Sequence, residues 1–254
     1  MRTRSDRRAF LSALAAAAAA IGLPRRALAL GAKTNFTIGR LMYPGDWNPR
    51  PTAVRRILAE IAKATSVETA EAPDDLNPED ASVFDHPFLY LSGTNEFPSF
   101  SAKARDNLSR YLRYGGFLLV DGASGEPDGG FDRGFRKEIA AILPDAKLEK
   151  LDEDHSAFRS FFLINRVAGR VAERPYLEGV TLGDWTPVIY TSNDIGGALE
   201  RDPFGNYRFD ATPGGEEQRS WATRLAVNLV LYALTVNYKK DQIHVEAILR
   251  RRRH

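Results

Sequence analysis

The stretch that most constrains this chain is Gly116-Phe117-Leu118-Leu119-Val120-Asp121. Four consecutive apolar residues leave no polar face for water, so a strand here has to be covered on both sides. That places it inside a sheet with helices on both faces rather than in a sheet with one wet side. Glycines flank it: Gly115 and Gly116 end the helical pattern before it, and a Gly-rich loop from Gly122 to Gly130 follows.

The rest of the chain repeats this alternation. Phe36 to Tyr43 reads as a first strand, closed by the turn Pro44-Gly45-Asp46-Trp47. A helix then starts near Pro49 or Pro51, with Val54, Ile57, Leu58 and Ile61 on one face. Pro87 to Leu91 reads as a buried strand opening into Ser92-Gly93-Thr94-Asn95. Ser99 or Ser101 caps the next helix, whose Ala104, Leu108, Tyr111 and Leu112 face inward. Phe135, Ile139, Ile142 and Leu143 mark a further helix ended by Pro144, and Trp185 to Thr191 a further strand. The segment from Val167 to Val180 reads as irregular or short β structure. Trp221 to Val236 reads as a last helix packed on the sheet.

Strands alternating with helices predict an α/β fold, a doubly wound, mainly parallel sheet with helices on both faces. In such sheets ligands lie beyond the carboxyl ends of the strands. Four loops are therefore expected at a site: Tyr43 to Asn48, Ser92 to Phe97, Asp121 to Phe131 and Thr191 to Gly197.

These landmarks also carry a resemblance. Arg40-Leu41-Met42-Tyr43 with Asp46-Trp47, then Tyr90-Leu91-Ser92-Gly93, Gly115 to Asp121, Asp154-His155 and Asn228 to Thr235 resemble the bacterial domain-of-unknown-function family 4159. That family is similar to class I glutamine-amidotransferase-like and trehalose-utilisation-like domains. The resemblance implies a flavodoxin-like three-layer fold and leaves the activity open.

Amidotransferase chemistry needs a thiolate on a strand-to-helix turn, a His base and a Glu that orients it. The strand expected to carry that nucleophile ends in Asp121-Gly122-Ala123, and the chain holds no cysteine. His244-Val245-Glu246 has the His-x-Glu spacing but is expected to fall after the last helix. Glutaminase activity, disulfides and thiolate metal sites are thereby excluded. Ser124, in Gly122-Ala123-Ser124-Gly125-Glu126, lacks the spacing of a hydrolase nucleophile elbow. Ser124 and Ser92 read first as loop serines bonded to backbone.

The candidate ligand-binding residues are Tyr43, Asp46, Trp47, Ser92, Asp121, Asn193 and Asp194. Asp121 follows a fully apolar strand and is expected to be desolvated with a raised pKa, as a general base, a cation ligand, a turn cap or an ion-pair partner of an Arg. Asn193 and Asp194 stand at another strand end, with Gly196-Gly197 behind them. Tyr43 and Trp47 would wall a pocket or fill the core edge. Asp152, Asp154 and His155 are the one cluster with metal-ligating chemistry, and it also reads as a solvated turn capping a short helix. No cofactor is expected.

The N-terminus carries an address. Arg7-Arg8-Ala9-Phe10-Leu11 has the twin-arginine export pattern, followed by an apolar run from Ala13 to Leu23 and by Ala27-Leu28-Ala29, an A-x-A cleavage site. The run is about eleven residues, short of the roughly twenty needed to cross a bilayer. Residues 1–29 read as a twin-arginine signal peptide cleaved after Ala29, 30–249 as one domain and 250–254 as a basic tail. The expected location is the periplasm, with membrane contact only during export.

Net charge follows from that division. The whole chain has 35 basic and 33 acidic side chains, and the signal removes six Arg and one Asp, leaving net −3. Setting aside Arg250 to Arg253 leaves a body near −7, without the positive field that nucleic acid requires. Two readings of function stand. One is a non-catalytic periplasmic binding or assembly module on an amidotransferase-like scaffold without its nucleophile, with a protein partner and an exposed apolar patch or groove. The other is an enzyme or sensor for a carbohydrate or other small polar ligand, using Asp121, Asp46 and Asn193 with Tyr43 and Trp47 as walls. Convergence of those side chains in one open pocket would favour the second; their consumption in internal hydrogen bonds would favour the first.

Overall fold

A computed structural model describes residues 35–251, with side chains through residue 235. The export residues Arg7, Arg8, Phe10, Leu11, Ala27 and Ala29 lie outside the described residues. The elements are β1 (Gly39–Leu41), α1 (Ala53–Ala64), β2 (Asp74–Leu76), β3 (Phe88–Gly93), α2 (Ala102–Arg113), β4 (Phe117–Gly122), α3 (Gly130–Ile142), β5 (Leu148–Lys150), β6 (Glu178–Leu182), β7 (Trp185–Thr191), α4 (Ile195–Leu199) and α5 (Gly215–Arg251).

All seven strands form one sheet, in the order β2-β1-β3-β4-β7-β6-β5. The first five are parallel, and β6 and β5 extend the sheet through antiparallel pairings. The 2-1-3-4 order with a final parallel strand is that of a flavodoxin-like sheet, which turns direction between β1 and β3. Because successive side chains point to opposite faces, β4 divides its apolar residues between two cores. Phe117 and Leu119 join the core under α1, α4 and α5, and Leu118 and Val120 join the core under α2 and α3. The expected three-layer architecture is what forms.

The helices follow their apolar stripes. Val54, Ile57, Leu58 and Ile61 of α1 are buried, as are Ala104, Leu108, Tyr111 and Leu112 of α2. Ser101, not Ser99, is the N-cap of α2, its hydroxyl accepting the Ala104 N–H at 3.1 Å. Gly115 follows α2 at φ +119°, a conformation that favours glycine.

Three expectations need correction. The first strand is shorter than read: only Gly39–Leu41 is strand, paired with β2 along its length and with β3 at Gly39 and Arg40. The last helix is longer than read and runs to Arg251, so residues 244–246 lie inside it rather than after it, and residues 250–251 continue it. The short edge strands β2 and β5 were not expected at all. Among the described residues no helix is long and apolar enough to cross a membrane.

Candidate functional site

Parallel register brings the strand ends together. Ser92 of β3 is paired with Asp121 of β4, which is paired with Thr191 of β7, so three apolar strands finish in one polar row. Beyond them the chain turns into loops, as expected for the carboxyl edge of a doubly wound sheet. Ser92, Asp121, Asn193 and Asp194 do converge there, each essentially excluded from solvent.

Asp121 is fully buried and fully partnered. Its Oδ2 accepts the Tyr90 hydroxyl at 2.8 Å and the Gly196 N–H at 2.7 Å, and its Oδ1 accepts the Ile195 N–H at 2.9 Å. Burial, with the Asp194 charge next, pushes its pKa up to about 6, and the three donors hold it from rising further. Burial and the Asp121 charge push the Tyr90 phenol well above its ordinary value. The carboxylate grips the start of α4, and a side chain at Gly196 would meet the Tyr90 hydroxyl at 2.8 Å, so only glycine lets the helix approach this closely.

Asp194 organises the second half of the network. It caps α4 from a left-handed backbone, φ +57°, its Oδ1 accepting the Gly197 N–H at 2.8 Å. The guanidinium of Arg50 closes on both of its oxygens, with Nη2 to Oδ2 at 2.7 Å, and Arg170 Nε reaches the same Oδ2. Both arginines also hold the loop after β4: Arg50 donates to the Ala123 carbonyl at 2.7 Å and Arg170 to the Ser124 carbonyl at 3.0 Å. Burial works against the charge on Arg50, and Asp194 more than offsets it, leaving its pKa raised.

The remaining candidates are also engaged. Asn193 accepts the Glu173 and Arg174 N–H groups and donates to the Arg174 carbonyl at 2.6 Å. Ser92 donates to the Asp121 carbonyl at 2.7 Å. The Tyr43 hydroxyl lies 2.8 Å from the carbonyls of both Asp46 and Ser92, and its ring packs on Phe97. Asp46 is exposed and accepts the Thr94 hydroxyl, and Trp47 is half-buried beneath the Arg40 guanidinium. Tyr43, Asp46 and Trp47 thus form a turn at the core edge and do not wall a pocket around Asp121. Ser124 Oγ accepts the Glu126 N–H, a local turn bond.

The Asp152–Asp154–His155 cluster sits elsewhere. Asp152 and Asp154 are exposed, while His155 is spent: Nδ1 accepts the Ala157 N–H and Nε2 is 3.0 Å from the Thr186 hydroxyl, near the start of β7 and away from the Asp121 end. Burial lowers the His155 pKa, with the two aspartates opposing. Among the described residues no three His, Asp or Glu side chains are grouped to hold a metal ion.

Sequence reasoning missed Tyr90, Arg50, Arg170 and Gln218. Gln218 Nε2 is within 2.9 Å of the carbonyls of Gly169, Arg170 and Thr212, pinning the Arg170 loop to α5. Arg50 stands between two prolines at the mouth of a strand–helix turn, the only local sign of its role. As chemistry, the assembly is a closed electrostatic clamp. It binds α4 and two loops to the sheet, with both carboxylates excluded from solvent and the Arg50 and Arg170 side chains partly exposed.

A family model described as Domain of unknown function (DUF4159) matches residues 37–234, and the chain belongs to that family. No curated protein matches the chain.

Proposed function

We propose that this protein is an exported, periplasmic, non-catalytic binding or assembly module on an amidotransferase-like scaffold that lacks the cysteine nucleophile. One observation carries the reading: the polar side chains at the strand ends are consumed by one another. Asp121 holds three donors and Asp194 two guanidinium groups, both carboxylates being excluded from solvent, where a catalytic constellation would need a reacting group with a face open to substrate. The edge of β4 that would carry a nucleophile instead carries a carboxylate that anchors a helix. The address Arg7-Arg8-Ala9-Phe10-Leu11 supports export.

Two measurements test the two halves of the reading. Fractionation of cells producing the wild type and the Arg7→Lys, Arg8→Lys double variant should find the first outside the cytoplasm and the second retained as precursor. Periplasmic recovery of the variant would remove the twin-arginine assignment. For the site, a thermal-shift panel of sugars, nucleotides, amino acids and divalent metals should give no shift that depends on Asp121. A ligand at 100 times its dissociation constant adds roughly 2.7 kcal/mol, a readable change. A shift abolished in Asp121→Asn would instead establish an enzyme or sensor for a small polar ligand.

A further inference from the structure

The chain leaves β1 for α1 on one face of the sheet and leaves the neighbouring β3 for α2 on the other. Val54 and Ile57 of α1 join one core, and Leu108 and Leu112 of α2 join the other. Connections that part in this way leave a crevice at the carboxyl edge, where doubly wound sheets take ligands. A cleft of about 400 Å³ lies there, lined by the loops after β1, β2 and β3 and by the first turn of α2. That volume is in the range of small-molecule sites. Bonds between the loops hold the cleft in shape. The Met42 N–H donates to the Leu76 carbonyl at 2.9 Å, the Asn107 amide to the Pro78 carbonyl at 3.1 Å and the Ser101 hydroxyl to Glu79 Oε1 at 2.7 Å. The Glu79 N–H in turn donates to Asn77 Oδ1 at 3.0 Å. A site built this way loses little freedom when it is filled.

The lining selects a chemistry. Glu79 is half-buried and, among the described residues, is the one charged side chain at the cleft. Its carboxylate meets a neutral hydroxyl and no cation, and Arg105, near the start of α2, is committed to Glu138 at 2.8 Å. With no Lys or Arg in the lining, a phosphate or carboxylate would face Glu79 unopposed. A bare metal ion needs three or more converging ligands, and among the described residues none are so grouped. A sugar needs partners for several hydroxyls, whereas the Ser101 hydroxyl is given to Glu79 and that of Ser99 to Glu138. Each buried hydroxyl left unpaired is costly. Met42, Pro44, Pro78 and Phe100 offer apolar surface instead. An organic cation suits both parts of the lining, its charge against Glu79 and its hydrocarbon body against that surface.

We propose that this cleft binds a small organic amine, with its ammonium group held by the Glu79 carboxylate. The inference rests on the binding reading and gives it a ligand class, at a place apart from the clamp: Asp121, Asp194, Arg50 and Arg170 do not line the cleft.

Titration calorimetry on the purified protein tests it with benzylamine and cyclohexylamine, each set against the alcohol of the same shape, benzyl alcohol and cyclohexanol. The wild type should bind the amines with Kd below about 1 mM and the alcohols at least about tenfold more weakly. Glu79→Gln should weaken the amines by at least about tenfold and leave the alcohols unmoved. That variant keeps an oxygen to accept the Ser101 hydroxyl, so its thermal midpoint should not change. Met42→Trp, which fills the cleft, should remove binding with Glu79 intact, and Asp121→Asn should retain it. Alcohols bound as tightly as amines, or amines indifferent to Glu79→Gln, overturn the proposal. Silence toward both amines at about 10 mM overturns the site and leaves the non-catalytic reading standing. Binding lost in Asp121→Asn and kept in Glu79→Gln would put the ligand at the clamp and overturn both.

Discussion

At the scale of single residues, Asp121 separates a reactive site from a structural clamp. A buried carboxylate at a strand end serves either chemistry or architecture, and its hydrogen bonds decide which. Here its donors include two backbone N–H groups of α4 that have no alternative partner. Asp121→Asn turns an amide nitrogen toward at least one donor, leaving a buried group unpaired at a cost of about 1–3 kcal/mol, readable by urea unfolding. An unchanged midpoint would point back to a ligand role. The pH dependence gives a second signature. The pKa is raised from 3.8 to about 6 in the folded protein, so the native state holds this proton more tightly than the unfolded chain. The resulting stabilisation is complete below pH about 4 and is lost as pH rises through about 6. In Asp121→Asn that decline should vanish, while the dependence on other groups remains.

At the scale of elements, the clamp explains how a five-residue helix persists. So short a helix has almost no stability of its own. Asp194 caps α4 and Asp121 holds its first N–H groups, so sheet and helix are bonded where the chain turns. Helix α2 has the opposite economy, with twelve residues, an inward apolar stripe and an ordinary cap. Ser101→Ala removes the bond to Ala104 and should lower stability by about 1 kcal/mol in thermal unfolding. Ser101 also donates to Glu79 at 2.7 Å, so the same change frees the segment after β2. Sequence spacing left Ser99 and Ser101 equally able to cap. The loop path settled it, since the Ser99 side chain bonds to Glu138 instead.

At the scale of the whole molecule, two opposing sets of carboxylates shape stability against pH. Burial disfavours charge on Asp132, but Arg136, the Tyr190 hydroxyl and Arg174 outweigh it and hold the pKa below its ordinary value. Burial likewise opposes Glu138, and Arg105, Ser99 and the Phe100 N–H prevail. Stability from these groups is present above their unfolded pKa values and lost as pH falls through the folded ones. Asp121 works in the reverse sense above them. Unfolding midpoints measured across pH should therefore fall steeply on the acid side, and the gentler decline between pH about 4 and about 6 should disappear in Asp121→Asn.

Much of this protein is a local property of its chain. Four apolar residues in a row at Phe117–Val120 demand cover on both faces, and the 3.6-residue spacing of Val54, Ile57, Leu58 and Ile61 demands a helix; both were legible because hydrophobic period depends only on near neighbours. The same holds for the polar loops at the carboxyl edge and for a buried Asp121. Strand order was not legible, nor were β2 and β5, whose three residues each carry no period to read. Above all, partners were not legible. Tyr90 lies 31 residues from Asp121, and Arg50 lies 144 from Asp194. Whether a carboxylate is free to act or bound to a guanidinium depends on which distant segments the sheet brings to one edge. Only the tertiary structure decided that, by setting Tyr90 against Asp121 and Arg50 and Arg170 against Asp194.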